Sequence, residues 1–142
     1  MSKYELVETS VLHVRDADDA LMYADGPDGQ PDLTKPMLWT LYGPGSKKHA
    51  AAQQARSNRT VGRIQRRGKA DMSAEDALRD KAEFVTACTK AMENMEGLSE
   101  RGATGEALCM EICSNLKLTH LVEQAEMHAR NTANFKQPST TN

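Results

Sequence analysis

From Leu38 to Lys69 the chain has no acidic residue, and eight Lys and Arg side chains fall between Lys47 and Lys69. Few folds accommodate such a stretch, because like charges one helical turn apart repel by a few tenths of a kcal/mol per pair. It opens on PMLWTLY, residues 36 to 42, where Met37, Trp39 and Leu41 fall on one face of a strand and Leu38 and Tyr42 on the other. The corner Gly43-Pro44-Gly45 stops that strand, and Ser46 stands where a helix needs its N-terminal cap. The residues after Ser46 read as one long basic helix ending near Gly68. At about 100° per residue, Ala50, Gln54, Ser57, Val61 and Ile64 form a narrow, weakly apolar stripe, which is expected to face the core. Lys48, Arg56, Arg59, Arg63, Arg66 and Arg67 gather on the opposite side as a candidate interaction face. Three explanations of that face stay open: solvation or pairing within the chain, an acidic protein partner, or nucleic acid. The acidic first segment of the chain is a candidate for the internal pairing.

The rest of the chain limits what this helix can pack against. With one Trp, three Tyr and two Phe in 142 residues, the core must rest on Leu, Val, Ile, Ala and the eight Met. The length suits a single domain over residues 1–136, followed by a mobile tail at 137–142. A net charge of −2 argues against a globally basic nucleic-acid protein but not against a local basic face. Cys88, Cys109 and Cys113 form no Cys-x-x-Cys pair and read as free thiols on helices. No apolar run is long enough to cross a bilayer, and the first residues lack a targeting leader, so a soluble cytoplasmic protein is expected.

Residues 4 to 14 carry Leu6, Val11, Leu12 and Val14 among polar neighbours and predict one or two strands. LMYA reads as a short strand or a helical turn, and Asp25 to Asp32 as a solvated turn rather than a calcium loop. Ser73 with Asp76 predicts a capping box opening a second helix. Its apolar side runs through Ala77, Leu78, Phe84, Val85, Cys88, Met92 and Met95, and is expected to be the centre of the core. Gly97 to Gly105 is a connector with Thr104 as a cap. A short third helix comes next, around Leu108 and Ile112, and a last one from about Leu118 to Asn131 carries Leu121, Val122, Ala125 and Ala129. The expected fold is therefore α+β, mainly α: a small N-terminal antiparallel sheet against three or four helices.

No chemistry-bearing cluster stands out. His13, His49, His120 and His128 lack metal-ligand spacing, and no elbow motif frames a nucleophile. The glycine corner has neither the Walker nor the dinucleotide spacing. Neither an enzyme nor a cofactor or metal site is expected, and a binding or assembly role is the default.

The run WTLYGPGSKKHAAAQQARSNR resembles the opening of the tail assembly chaperones of long-tailed bacteriophages. Their strand, Gly-Pro-x-Ser turn and basic helix are matched here by Gly43, Pro44, Gly45 and Ser46. The closing LVEQAEMHARNTANF is similar to that family's apolar-x-x-Gln segment and following Asn-Phe, here Gln124, Asn134 and Phe135. KAEFVTACTKAMENMEG resembles its central helix, while Leu118 and His120 stand where an aromatic residue is frequent. The resemblance implies a non-enzymatic protein of the host cytoplasm, absent from the finished virion. Its partners would be the tape measure protein, which it keeps soluble, and the tail tube protein, recruited through a longer frameshifted form. Self-association fits a small domain with few aromatics. The alternatives are a helical nucleic-acid-binding or packaging accessory protein and a small structural tail completion protein.

Overall fold

The computed structural model describes residues 3–69 and 71–137. Its strands are β1 (Thr9–His13), β2 (Tyr23–Asp25), β3 (Pro31–Pro36), β4 (Leu38–Tyr42) and β5 (Thr89–Glu93). Its helices are α1 (Lys47–Arg67), α2 (Ala74–Ala87), α3 (Gly105–Cys113) and α4 (Thr119–Arg130), and a short 3-10 turn lies at Thr132–Phe135. The fold is α+β and mainly α, as the sequence predicts.

Strand β4 is the centre of a three-stranded antiparallel sheet in the order β1-β4-β5, with Leu12 opposite Trp39 and Trp39 opposite Met92. Met37, Trp39 and Leu41 are buried and Leu38 and Tyr42 half-buried, following the alternation of the sequence. Helix α4 lies against this inner face, and its Leu121, Val122, Ala125 and Ala129 join Val14, Phe84, Val85 and Ile112 in one core. β2 and β3 form a separate hairpin over the Asp25 to Asp32 turn, where the Gly26 N–H donates to the Gln30 carbonyl at 2.7 Å. Gly29 there takes the left-handed φ of +78° that its missing Cβ permits.

Helix α2 does not continue through Met95. It stops at Ala87, Cys88 caps it, and Thr89 begins β5. Two hydrogen bonds fix the switch: the Thr89 hydroxyl donates to the Val85 carbonyl at 2.7 Å, and the Tyr42 N–H donates to the Cys88 carbonyl at 2.7 Å. The same Thr89 oxygen accepts from the Trp39 indole N–H at 2.9 Å, so the sole Trp is anchored to the end of α2. Cys88 and Met95 remain fully buried, but Met92 is only half-buried, at the margin of the sheet. A helical apolar period and a strand period coincide over so short a run, and the free edge of β4 decides between them.

Candidate functional site

The basic helix faces the opposite way from the sequence expectation. His49, Ala52 and Arg63 are its buried residues, with Arg56 and Arg59 half-buried beside them. The stripe expected to face the core is exposed: Ala50, Gln54 and Ser57 lie at the surface, as do Val61 and Ile64. The reason is electrostatic. Arg56 Nε donates to Asp80 at 2.7 Å, Arg56 Nη1 to Glu126 at 2.8 Å, and Arg59 Nε to the other oxygen of Asp80 at 2.8 Å. Glu83 lies 3.3 Å from Arg59, and Arg67 pairs with Asp76 at 3.1 Å. The neutralising acids therefore come from α2 and α4, not from the acidic first segment of the chain.

Asp80 is only 4% exposed, and this pairing is what makes its burial tolerable. Burial raises its pKa, but the hydrogen bonds from Arg59 and Arg56 outweigh burial and hold the carboxyl below its ordinary value. The Arg56 guanidinium also lies 4.6 Å from the centre of the Phe84 ring, which meets His49 edge-on from another side. Burial, helped by the positive charge of Arg130, lowers the pKa of His49.

The residues of the corner motif and the closing motif act as fasteners. Gly43 is required because a Cβ there would lie 2.3 to 2.5 Å from atoms of the Phe135 ring, which is fully buried. A Cβ on Gly45 would come within 3.0 Å of Leu6. The Ser46 hydroxyl donates to the Gly43 carbonyl at 2.9 Å and accepts from the His49 N–H at 3.1 Å, closing the corner and capping α1 together. Pro44 is half-buried in that turn. From α4, Gln124 Oε1 accepts from the Arg15 N–H at 2.8 Å and its Nε2 donates to the Arg15 carbonyl at 2.7 Å. That pairing imitates a strand neighbour and binds the segment after β1 to the last helix. Asn134 donates to the His128 carbonyl at 3.2 Å, and the Val7 N–H donates to the Phe135 carbonyl at 2.8 Å. Gln137, the first residue of the tail expected at 137–142, donates its Nε2 to the Glu5 carbonyl at 2.9 Å; the rest of that tail, residues 138–142, lies outside the described residues.

A groove that the sequence pattern does not reveal runs beside β5. It has a volume of about 550 Å³ and is lined by Ala51, Ala52 and Ala55 of α1, Ala87, Thr89, Ala91 and Met92 around β5, and Gly105 and Leu108 of α3. Lys48, Lys90, Glu96 and Glu106 stand around it. β5 is an outer strand of its sheet, and among the described residues no further strand pairs with it. One wall is signalled by the run Ala50-Ala51-Ala52 with Ala55, but a wall needs its opposite wall, and the sequence of β5 reads as helix.

Cys109 and Cys113 sit one turn apart on α3 with sulfurs 4.0 Å from each other. Their mutual hydrogen bond lowers the pKa of Cys109 and raises that of Cys113, while burial pushes Cys88 up to about 12. Among the described residues no three His, Cys, Asp or Glu side chains converge to hold a metal ion, and no helix is long and apolar enough to cross a membrane. The chain matches no protein-family profile, no curated protein and no solved structure, so the resemblance to tail assembly chaperones rests on its corner, central-helix and closing segments.

Proposed function

We propose that this protein is a non-enzymatic tail assembly chaperone whose groove between α1 and β5 holds helices of the tape measure protein until tail tube subunits enclose it. The groove is the observation that carries this reading. Its small side chains leave room for Leu, Met or Phe anchors from a client helix, and Met92 can adjust to different anchors. Charges of both signs around it suit a client of mixed charge. A helix fits better than an added strand, because β5 carries an irregular register near Lys90 and ends in Glu93. A bulge and edge charges both oppose strand addition.

Weak contacts repeated along a long client would give a strong total hold while allowing each copy to be displaced. A longer frameshifted form would recruit the tube protein, and self-association would set the number of copies. The nucleic-acid alternative loses support because Arg56, Arg59 and Arg67 already pair with carboxylates. Co-expression with a tape measure protein of a long-tailed bacteriophage tests the reading. The client should become soluble and co-purify with several copies of this chain. Ala55→Arg, at an exposed position in the groove, should leave folding intact and abolish co-purification. A client left insoluble and unbound at matched expression refutes the proposal.

A further inference from the structure

The ladder of ion pairs between α1 and α2 has one rung without an acid. Arg59 pairs with Asp80 and Arg67 with Asp76, but Arg63, between them on α1, makes no ion pair among the described residues. Its side chain is nonetheless buried, at 8% exposure. Its Nη2 donates to the Thr60 hydroxyl at 3.1 Å, and its Nε is buried without a hydrogen-bond partner. A buried guanidinium without a counter-charge is costly, and one water molecule would satisfy the N–H but not the charge.

Arg63 lines a cleft of about 290 Å³ between the two helices, where five guanidiniums meet three carboxylates. Arg66 lines the same cleft and also makes no ion pair among the described residues. It folds back over Gly62, whose missing Cβ would stand 3.1 Å from Arg66 Nη1. Two of the five guanidiniums, Arg63 and Arg66, are thus left without an ion pair among the described residues, and both are forks that match oxyanion geometry.

We propose that this cleft binds a phosphate-type dianion, free or as a terminal monoester, between Arg63 and Arg66. A carboxylate or a phosphodiester carries one charge and would leave one guanidinium uncompensated. A tetrahedral dianion answers both and offers acceptors to the Arg63 and Arg66 guanidiniums together, where both line the cleft. The proposal does not depend on the chaperone reading.

Titration calorimetry with inorganic phosphate at pH 7.5 and fixed ionic strength tests it. Saturable binding of one phosphate per chain is expected, with sulfate competing and perchlorate not. Saturation matters, because phosphate and sulfate at high concentration stabilise proteins without a site. Arg66→Gln, at an exposed position, should weaken binding by about 10-fold, the effect of losing one charge-assisted contact. Gly62→Ala should weaken it as well, by displacing the Arg66 fork. Arg63→Met should melt higher than the parent in phosphate-free buffer and lose the phosphate response. If that variant does not fold, Arg66→Gln and Gly62→Ala decide. A 5′-phosphorylated dinucleotide that binds while its unphosphorylated form does not would identify a terminal monoester as an alternative source of the dianion. No saturable phosphate binding, or binding unchanged in Arg66→Gln and Gly62→Ala, overturns the proposal. So does DNA binding that grows with length and is equally strong in the unphosphorylated form.

Discussion

Asp80→Asn separates a structural role for the basic helix from a role in binding. The carboxylate accepts from Arg56 at 2.7 Å and from Arg59 at 2.8 Å, at a site 4% exposed. Two hydrogen bonds to charged groups contribute ~1.5–3 kcal/mol each. Asn keeps one oxygen and the volume but turns an NH2 group toward a guanidinium. The two cations are not abandoned, since Glu126 still holds Arg56 and Glu83 still faces Arg59. The cost should therefore fall below the ~3–5 kcal/mol of an orphaned buried charge, at about 2–3 kcal/mol. Urea denaturation followed by circular dichroism at pH 7 measures it, with an unchanged slope confirming an unchanged native state. The pH dependence has a definite sign. Asp80 is held below its ordinary value of 3.8, so its contribution is fully present above that pH and is lost as the pH falls through the native pKa. The gap between parent and Asp80→Asn should be constant from pH 8 to about 5 and shrink in stronger acid. A loss under ~1 kcal/mol, or a gap that does not narrow as the pH falls below 3.8, would refute the argument that these pairs hold α1 in place.

Three further outcomes each rest on a single residue. Gly43→Ala should cost ~1–3 kcal/mol by overpacking against Phe135, and adding Phe135→Leu should recover part of that loss in a double-mutant cycle. Gln124→Ala removes both bonds to the Arg15 backbone and should cost about 1–2 kcal/mol, with faster hydrogen exchange at the Arg15 amide as the local readout. Phe84→Ala should cost ~3–5 kcal/mol in the same denaturation series, because the ring is 1% exposed between His49 and Arg56.

Local signals in the sequence are strong where one interaction decides the outcome. The Ser46 cap, the left-handed Gly68 with its φ of 76° and the Ser73 cap all stand where the sequence predicts them. The alternation of Met37, Trp39 and Leu41 is legible because a buried face leaves no freedom of register. Two features depend on distant partners and are not legible. The orientation of α1 is set by Asp80 and Glu126, which lie 24 and 70 residues beyond Arg56. Hydropathy counts Arg as an outward residue, whereas an Arg with two carboxylates in reach is drawn inward. β5 depends on β4 lacking a second neighbour, a fact about the sheet rather than about the run from Thr89 to Glu93. The groove inherits that difficulty, since one of its sides is β5.

The motif residues and the groove therefore carry different kinds of information. Gly43, Ser46, Gln124, Asn134 and Phe135 bond or pack within the chain. They join the corner before α1 to the residues after α4, and with Val7 they close the chain's two described ends on one another. A sequence that keeps such fasteners keeps the fold, whatever it binds, because each answers to a partner inside the same domain. The residues a client would touch, Ala51, Ala55, Ala91 and Met92, answer to no such internal demand on their exposed sides. They are free to follow the client. A resemblance whose corner and closing segments are such fasteners is thus evidence about architecture first, and partner choice has to be tested at the groove.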